Sequence, residues 1–168
     1  LLQARPGSLH GYDISDHNKL NPEIGTEEEF QELVRELKSR GMGMILDTVP
    51  NHMGVGQGPN PWWQDVLENG RASKFANFFD IDWNPLKAEL RNKVLLPILG
   101  SQYGEELESG KLVLRYSDGG FKICYYDKLL PVDPRTFPLI FEPLGDFAGG
   151  AGDKLREHFP SSYFLVSG

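Results

Sequence analysis

The residues best suited to chemistry lie in two short stretches. Asp47-Thr48-Val49-Pro50-Asn51-His52 sets a carboxylate, a carboxamide and an imidazole close together. Such side chains supply the fixed donors and acceptors that a hydroxyl-reading site needs. The same spacing also suits an Asp that forms a turn beside a His on a surface loop, and composition does not separate the two. His10-Gly11-Tyr12-Asp13, followed by Asp16 and His17, is the second stretch. Tyr12 offers a flat apolar face for a pyranose ring and a hydroxyl to bond it. The alternative is a Tyr packed beneath its own loop.

Other candidates carry less. Trp62, Trp63 and Trp83 are either sugar-stacking platforms or core residues. Asp80 and Asp82 share a face only in a strand, and they are not expected to act as a catalytic pair. His10, His17, His52 and His158 lack the spacing of metal ligands, so no metal site is expected. No cofactor motif is present either: the Gly-rich run 148–154 lacks the G-x-x-x-x-G-K-[ST] register and reads as a linker. Cys124 has no activating neighbour and reads as structural.

These residues need elements to hold them. Turn residues run through 1–25, which reads as an ordered loop of the long kind that carries function. Thr26-Glu27-Glu28-Glu29 opens a helix with a capping box. Phe30, Leu33, Val34 and Leu37 give it one apolar stripe, and Gly41 ends it. Met42–Val49 is short, apolar and not alternating, as a parallel strand covered on both faces would be. Asp47 to His52 would then emerge at the carboxyl end of that strand, the face on which α/β barrels build active sites.

Beyond Gly54 the character changes. Asn60 and Pro61 predict a short helix ending at Gly70, and a strand is expected near Val94–Leu96. Leu112–Tyr116 and Phe121–Tyr125 alternate around Asp118-Gly119-Gly120, a hairpin pattern. Pro131, Pro134 and Pro138 punctuate the segment after the hairpin, and a short helix is expected around Lys154–His158.

Composition bounds the function. At 168 residues, 39% hydrophobic and 24% charged, the chain is globular. A net charge of −7 argues against nucleic acid as a partner and leaves a neutral sugar open. No apolar run reaches the roughly 20 residues of a membrane helix. One cysteine excludes an internal disulfide and fits a cytoplasmic setting. The opening Leu1-Leu2-Gln3-Ala4, without a methionine, reads as a start inside a longer protein.

Residues 5–25, with Gly11-Tyr12 and Asp16 and then Asn21-Pro22 and Gly25, resemble the G-Y-x-x-x-D…N-P-x-x-G loop of the α-amylase superfamily. Asp47 to His52 resembles its D-x-V-x-N-H region. Within that superfamily, four stretches resemble the maltooligosyl trehalose synthases. They are Ala4 to Asp13, Asn60-Pro61-Trp62-Trp63 to Gly70, Phe79-Asp80-Ile81-Asp82-Trp83, and Lys93 to Gly100. The resemblance runs from residue 1 to about 138 and is lost after Leu144.

The resemblance implies an α/β fold: a fragment of a (β/α)8 TIM barrel around its third strand, plus an α+β insertion domain. Barrel residues would be 1–53, the insertion 54–143, and 144–168 a Gly-rich tail without assignment. Tyr12 would stack on the sugar at the cleavage subsite and His52 would bond its primary hydroxyl. Asp13, Asp47 and Asn51 would complete the substrate-binding set. Family enzymes convert the reducing-end α-1,4 bond of a maltooligosaccharide to an α,α-1,1 bond by a retaining mechanism. Their nucleophile and acid/base lie on later strands, and no motif for either occurs here, so the chain alone is expected to be inactive. Two alternatives remain: another hydrolase of the superfamily, against which Trp62-Trp63 and Asp80 to Trp83 argue, and a non-catalytic α-glucan-binding remnant.

Overall fold

The computed structural model of the chain describes residues 1–56 and 60–145. They belong to two compact units, Leu1–Trp63 and Gln64–Gly168.

In the first unit, strands β1 (Leu2–Ala4) and β2 (Ile14–Leu20) pair antiparallel, with Leu2 opposite Leu20 and Ala4 opposite Ile14. The register slips twice between those points. This corrects the reading of residues 1–25 as loop throughout. The interior of β2 is Ser15, Asp16, His17, Asn18 and Lys19, so no apolar alternation announces a strand. Ser15 and Asp16 are nonetheless buried, and both are satisfied. Ser15 Oγ donates to the Gln3 carbonyl at 3.3 Å, and Asp16 accepts from the Asn18 amide at 2.9 Å.

Helix α1 (Glu27–Ser39) matches the sequence expectation at both ends. The Glu29 amide donates to Thr26 Oγ1, and the Thr26 amide donates to the Glu29 carboxylate. At the far end Gly41 takes φ +68°, a left-handed conformation that only glycine adopts without strain. That turn lets the Gly41 amide bond Lys38 and the Met42 amide bond Leu37, satisfying two terminal carbonyls. The apolar stripe of α1 is only half covered: Phe30, Val34 and Leu37 are half-buried and Leu33 is exposed. An open groove of about 280 Å³ runs beside it, lined by Leu1, Leu20, Ile24, Phe30 and Leu33 among others.

The buried parallel strand expected at Met42–Val49 does not form. The segment is outside any sheet and nearly all exposed, with Ile45 99% accessible. A parallel strand needs neighbours at its edges and layers on both faces. No described residue supplies a paired strand for it.

Helix α2 (Pro61–Asn69) has Asn60 before it, whose Oδ1 accepts the Trp63 amide at 3.0 Å. In the second unit its Val66 is fully buried. The strand expected near Val94–Leu96 is irregular: Leu95 is exposed, and the Ile98 amide turns back to Leu96 across Pro97. Helix α3 (Tyr103–Glu108) carries the buried Glu106, and Lys111 Nζ lies 3.1 and 3.0 Å from its two oxygens.

The hairpin is as the sequence indicates, with β3 (Leu112–Ser117) and β4 (Gly120–Tyr125) joined by Asp118-Gly119 at φ +51° and +80°. Those two positive angles match the twist of the flanking strands. A third strand, β5 (Lys128–Pro131), extends the sheet in the order β3-β4-β5. Helix α4 (Phe137–Gly145) presents Phe137 and Phe141 edge-on to Phe121 of β4, at ring separations of 5.0 and 5.5 Å. These three phenylalanines, with Val132 and Ile140 beside them, form a buried cluster among the described residues of this unit. The helix expected around Lys154–His158 lies outside the described residues. No described helix is long and apolar enough to cross a membrane.

Candidate functional site

The loop between β1 and β2 is built around one carboxylate. Arg5 Nε donates to Asp13 Oδ2 at 2.5 Å, and Ser8 Oγ donates to Asp13 Oδ1. Ser8 Oγ also accepts the Gly11 amide at 3.0 Å, and the Arg5 amide bonds the Asp13 carbonyl at 3.0 Å. Ser8 and Arg5 hold the Asp13 carboxyl below its ordinary range, and burial opposes them in part. Asp13 is thus an ionised anchor whose neighbours close the loop, rather than a free acid.

Tyr12 stands on that anchor. The residue is 37% exposed, and its ring stacks on His10 with centroids 5.7 Å apart and planes 22° from parallel. Its amide donates to His10 Nδ1 at 3.0 Å. Its hydroxyl donates to Asp47 Oδ2 at 2.6 Å, joining the two motifs across 35 positions of sequence. The bond and the charge of Asp47 both push the Tyr12 phenol above its ordinary value, so Tyr12 is neutral and a fixed donor.

Asn51 and His52 are exposed and paired, with Asn51 Oδ1 3.0 Å from His52 Nδ1. An amide oxygen only accepts, so the pairing suits the tautomer with the ring proton on Nδ1, in which Nε2 is an acceptor. Two residues on, Gly54 ties the segment to β2: its amide donates to the Ile14 carbonyl at 2.8 Å. The two candidate stretches are therefore joined twice, at Tyr12–Asp47 and at Ile14–Gly54.

The tryptophans divide. The half-buried Trp62 stacks on His17 of β2, with centroids 5.3 Å apart and planes 14° from parallel, so that face is covered. Trp63 is half-buried in the first turn of α2. Trp83 belongs to the second unit, where it is half-buried and its carbonyl accepts the Asn92 amide. Asp80 and Asp82 are exposed, and Asp82 caps a turn through the Asn84 amide. Among the described residues no group of three or more His, Cys, Asp or Glu is placed to hold a metal.

Sequence reasoning did not single out Arg5 and Ser8 as the clamp on Asp13, nor His17 as the partner of Trp62. Nothing in their spacing signals either contact. Asn60 was legible as a helix cap, but its amide also reaches back to the Gly54 carbonyl at 3.1 Å.

The α-amylase catalytic-domain family (Alpha amylase, catalytic domain) matches residues 3–107. A putative maltooligosyl trehalose synthase of Mycobacterium tuberculosis is 43% identical over 129 residues, covering 71% of this chain and 16% of that protein. Alpha-amylase SusG of Bacteroides thetaiotaomicron is 37% identical over 78 residues, 46% of this chain and 11% of its own length. Among solved structures, maltooligosyltrehalose synthase from Arthrobacter ramosus superposes with a TM-score of 0.62 at 35% identity, over 95% of this chain and 18% of that one. The Sulfolobus tokodaii hypothetical maltooligosyl trehalose synthase gives 0.63 at 38%, over 88% and 19%. The chain thus spans less than a fifth of the length of these synthases. With the catalytic-domain match spread over both motif-bearing loops, α1 and the start of the second unit, the chain belongs to the α-amylase family, as a partial (β/α)8 barrel.

Proposed function

We propose that this chain supplies the sugar-binding side of an α-glucan-remodelling active site. The whole enzyme would convert the reducing-end α-1,4 bond of a maltooligosaccharide to an α,α-1,1 bond by intramolecular glucosyl transfer. The observation that carries the reading is the Tyr12–Asp47 hydrogen bond. It aims a neutral, half-exposed aromatic ring from one motif while engaging the carboxylate of the other. Tyr12 would stack on the sugar at the cleavage subsite, and His52 Nε2 would accept from its primary hydroxyl. Asp13, Asp47 and Asn51 hold those two in place. Similarity to the synthases of M. tuberculosis and A. ramosus supports the choice of reaction over simple hydrolysis.

The residues of a retaining mechanism, a carboxylate nucleophile and a carboxylic acid, would come from other strands of the barrel. In this reading residues 1–53 belong to the barrel, and 54–143 form an insertion domain. Trp62, Trp63 and Trp83 are the candidates for sugar stacking, with one face of Trp62 already stacked on His17. The single buried thiol, Cys124, supports a cytoplasmic setting.

Titration of the 168-residue chain with maltopentaose, followed by chromatography of the sugar, tests this. Weak binding that Tyr12→Ala and His52→Ala each reduce, with no trehalose-ended product, is expected. Undiminished binding in both variants would remove the site, and a trehalose-ended product from this chain would overturn the division of labour.

A further inference from the structure

The contacts around Asn60 close on themselves. Asn60 is 1% exposed, so each of its polar atoms must find a partner within the protein. Oδ1 accepts the Trp63 amide at 3.0 Å and holds the first turn of α2. Nδ2 donates to the Gly54 carbonyl at 3.1 Å, with Met53 Sδ at 4.0 Å. Gly54 in turn donates to the Ile14 carbonyl at the start of β2. Three residues along β2, His17 stacks on Trp62 of α2. The path Ile14, Gly54, Asn60, α2, Trp62, His17 and back along β2 is a ring in which the Asn60 side chain is bonded on two sides.

A helix cap needs only the acceptor. The second bond ties the backbone two residues beyond His52 to the helix and, through Gly54, to the strand that begins two residues beyond Tyr12. We propose that Asn60 is a positioning residue that sets where the His52 segment leaves β2, and so orients the imidazole relative to Tyr12. The functional part of this rests on the sugar-binding reading above; the structural part does not.

Two variants separate the roles. Asn60→Asp keeps an oxygen for the Trp63 amide but sets a second acceptor against the Gly54 carbonyl. Asn60→Ser keeps a capping oxygen and removes the amide donor. The readouts are the His52 ring signals in the isotope-labelled 168-residue chain, assigned with His52→Gln, and maltopentaose titration. In both variants we expect α2 to persist by its amide signals and the His52 ring signals to move. The maltopentaose dissociation constant should rise about three- to tenfold, the weight of one buried hydrogen bond. Unmoved His52 signals with α2 intact would overturn the proposal. Collapse of the first unit in both variants would also overturn it, by making Asn60 merely structural. If the wild-type chain does not bind maltopentaose, the sugar-binding reading fails, while the ring signals still decide the role of Asn60.

Discussion

A Cβ on Gly54 would lie 2.7 Å from the carbonyl oxygen of Asp13. That carbonyl also accepts the Arg5 amide, so it has little freedom to withdraw. Gly54 is itself buried and its amide is committed to Ile14. Gly54→Ala should therefore force the two motif-bearing segments apart. We expect a loss of about 1–3 kcal/mol, the usual range for an overpacked site. Denaturant titration of the first unit, followed by Trp62 and Trp63 fluorescence, measures it. A variant as stable as wild type would show that the segments separate freely.

The Tyr12 phenol is held above 10.0 by its bond to Asp47 and by that carboxylate's charge. Asp47→Asn removes the charge and should lower the alkaline transition of Tyr12. A raised phenol pKa contributes stability at pH values below the ordinary tyrosine pKa, and that contribution is lost as pH climbs through the folded-state value. Ultraviolet difference titration of wild type, Asp47→Asn and a Tyr12→Phe control isolates the signal. An unchanged transition in Asp47→Asn would mean that the bond does not persist in solution.

Asp13 runs the other way. Ser8 and Arg5 depress its pKa, so its contribution is present above the unfolded carboxyl value of about 3.8 and is lost as pH falls through the lower folded value. Asp13→Asn should unfold at lower denaturant than wild type at neutral pH, and the gap should close in acid. Ser8→Ala should narrow the same gap, since Ser8 is the leading cause of the shift. Unfolding midpoints measured from neutral pH down to strongly acidic pH check both. A gap independent of pH would assign the effect to packing.

Ile45 is 99% exposed on a segment outside any sheet, with Met42, Met44 and Leu46 also exposed. Unpaired backbone with apolar side chains is a template for association between chains. Ile45→Lys should lower self-association of the 168-residue chain in light scattering while leaving the Tyr12–Asp47 region unchanged. Equal scattering from both would place the association elsewhere.

Elements whose determinants are local were legible in sequence. The Thr26–Glu29 box, the left-handed stop at Gly41, the Asn60 cap and the Asp118-Gly119 turn each act within a few residues. Where partners are distant, legibility fails. Strand β2 is a strand because β1 lies across from it, and its own polar residues conceal this. The apolar run Met42–Val49 carries the pattern of a covered strand without the neighbours that would cover it here. The site divides in the same way. Tyr12, Asp13, Asp47, Asn51 and His52 stand out by residue type and motif. The Tyr12–Asp47 bond, the Arg5–Asp13 ion pair and the tether from Asn60 to Gly54 are tertiary contacts that no local spacing encodes.

The three-stranded sheet has a kinetic corollary. Its strands are joined by Asp118-Gly119 and by Tyr126-Asp127, so each pairing closes a very short loop. Hairpins of this kind zip up in about 1–10 μs. The Tyr12–Asp47 bond must close 35 positions of chain, past a helix that has to form between them. Contacts at long sequence separation form slowly because the entropy of closure precedes their reward. The sheet of the second unit should therefore be in place early, with the Tyr12–Asp47 geometry of the first among the last features to arrive.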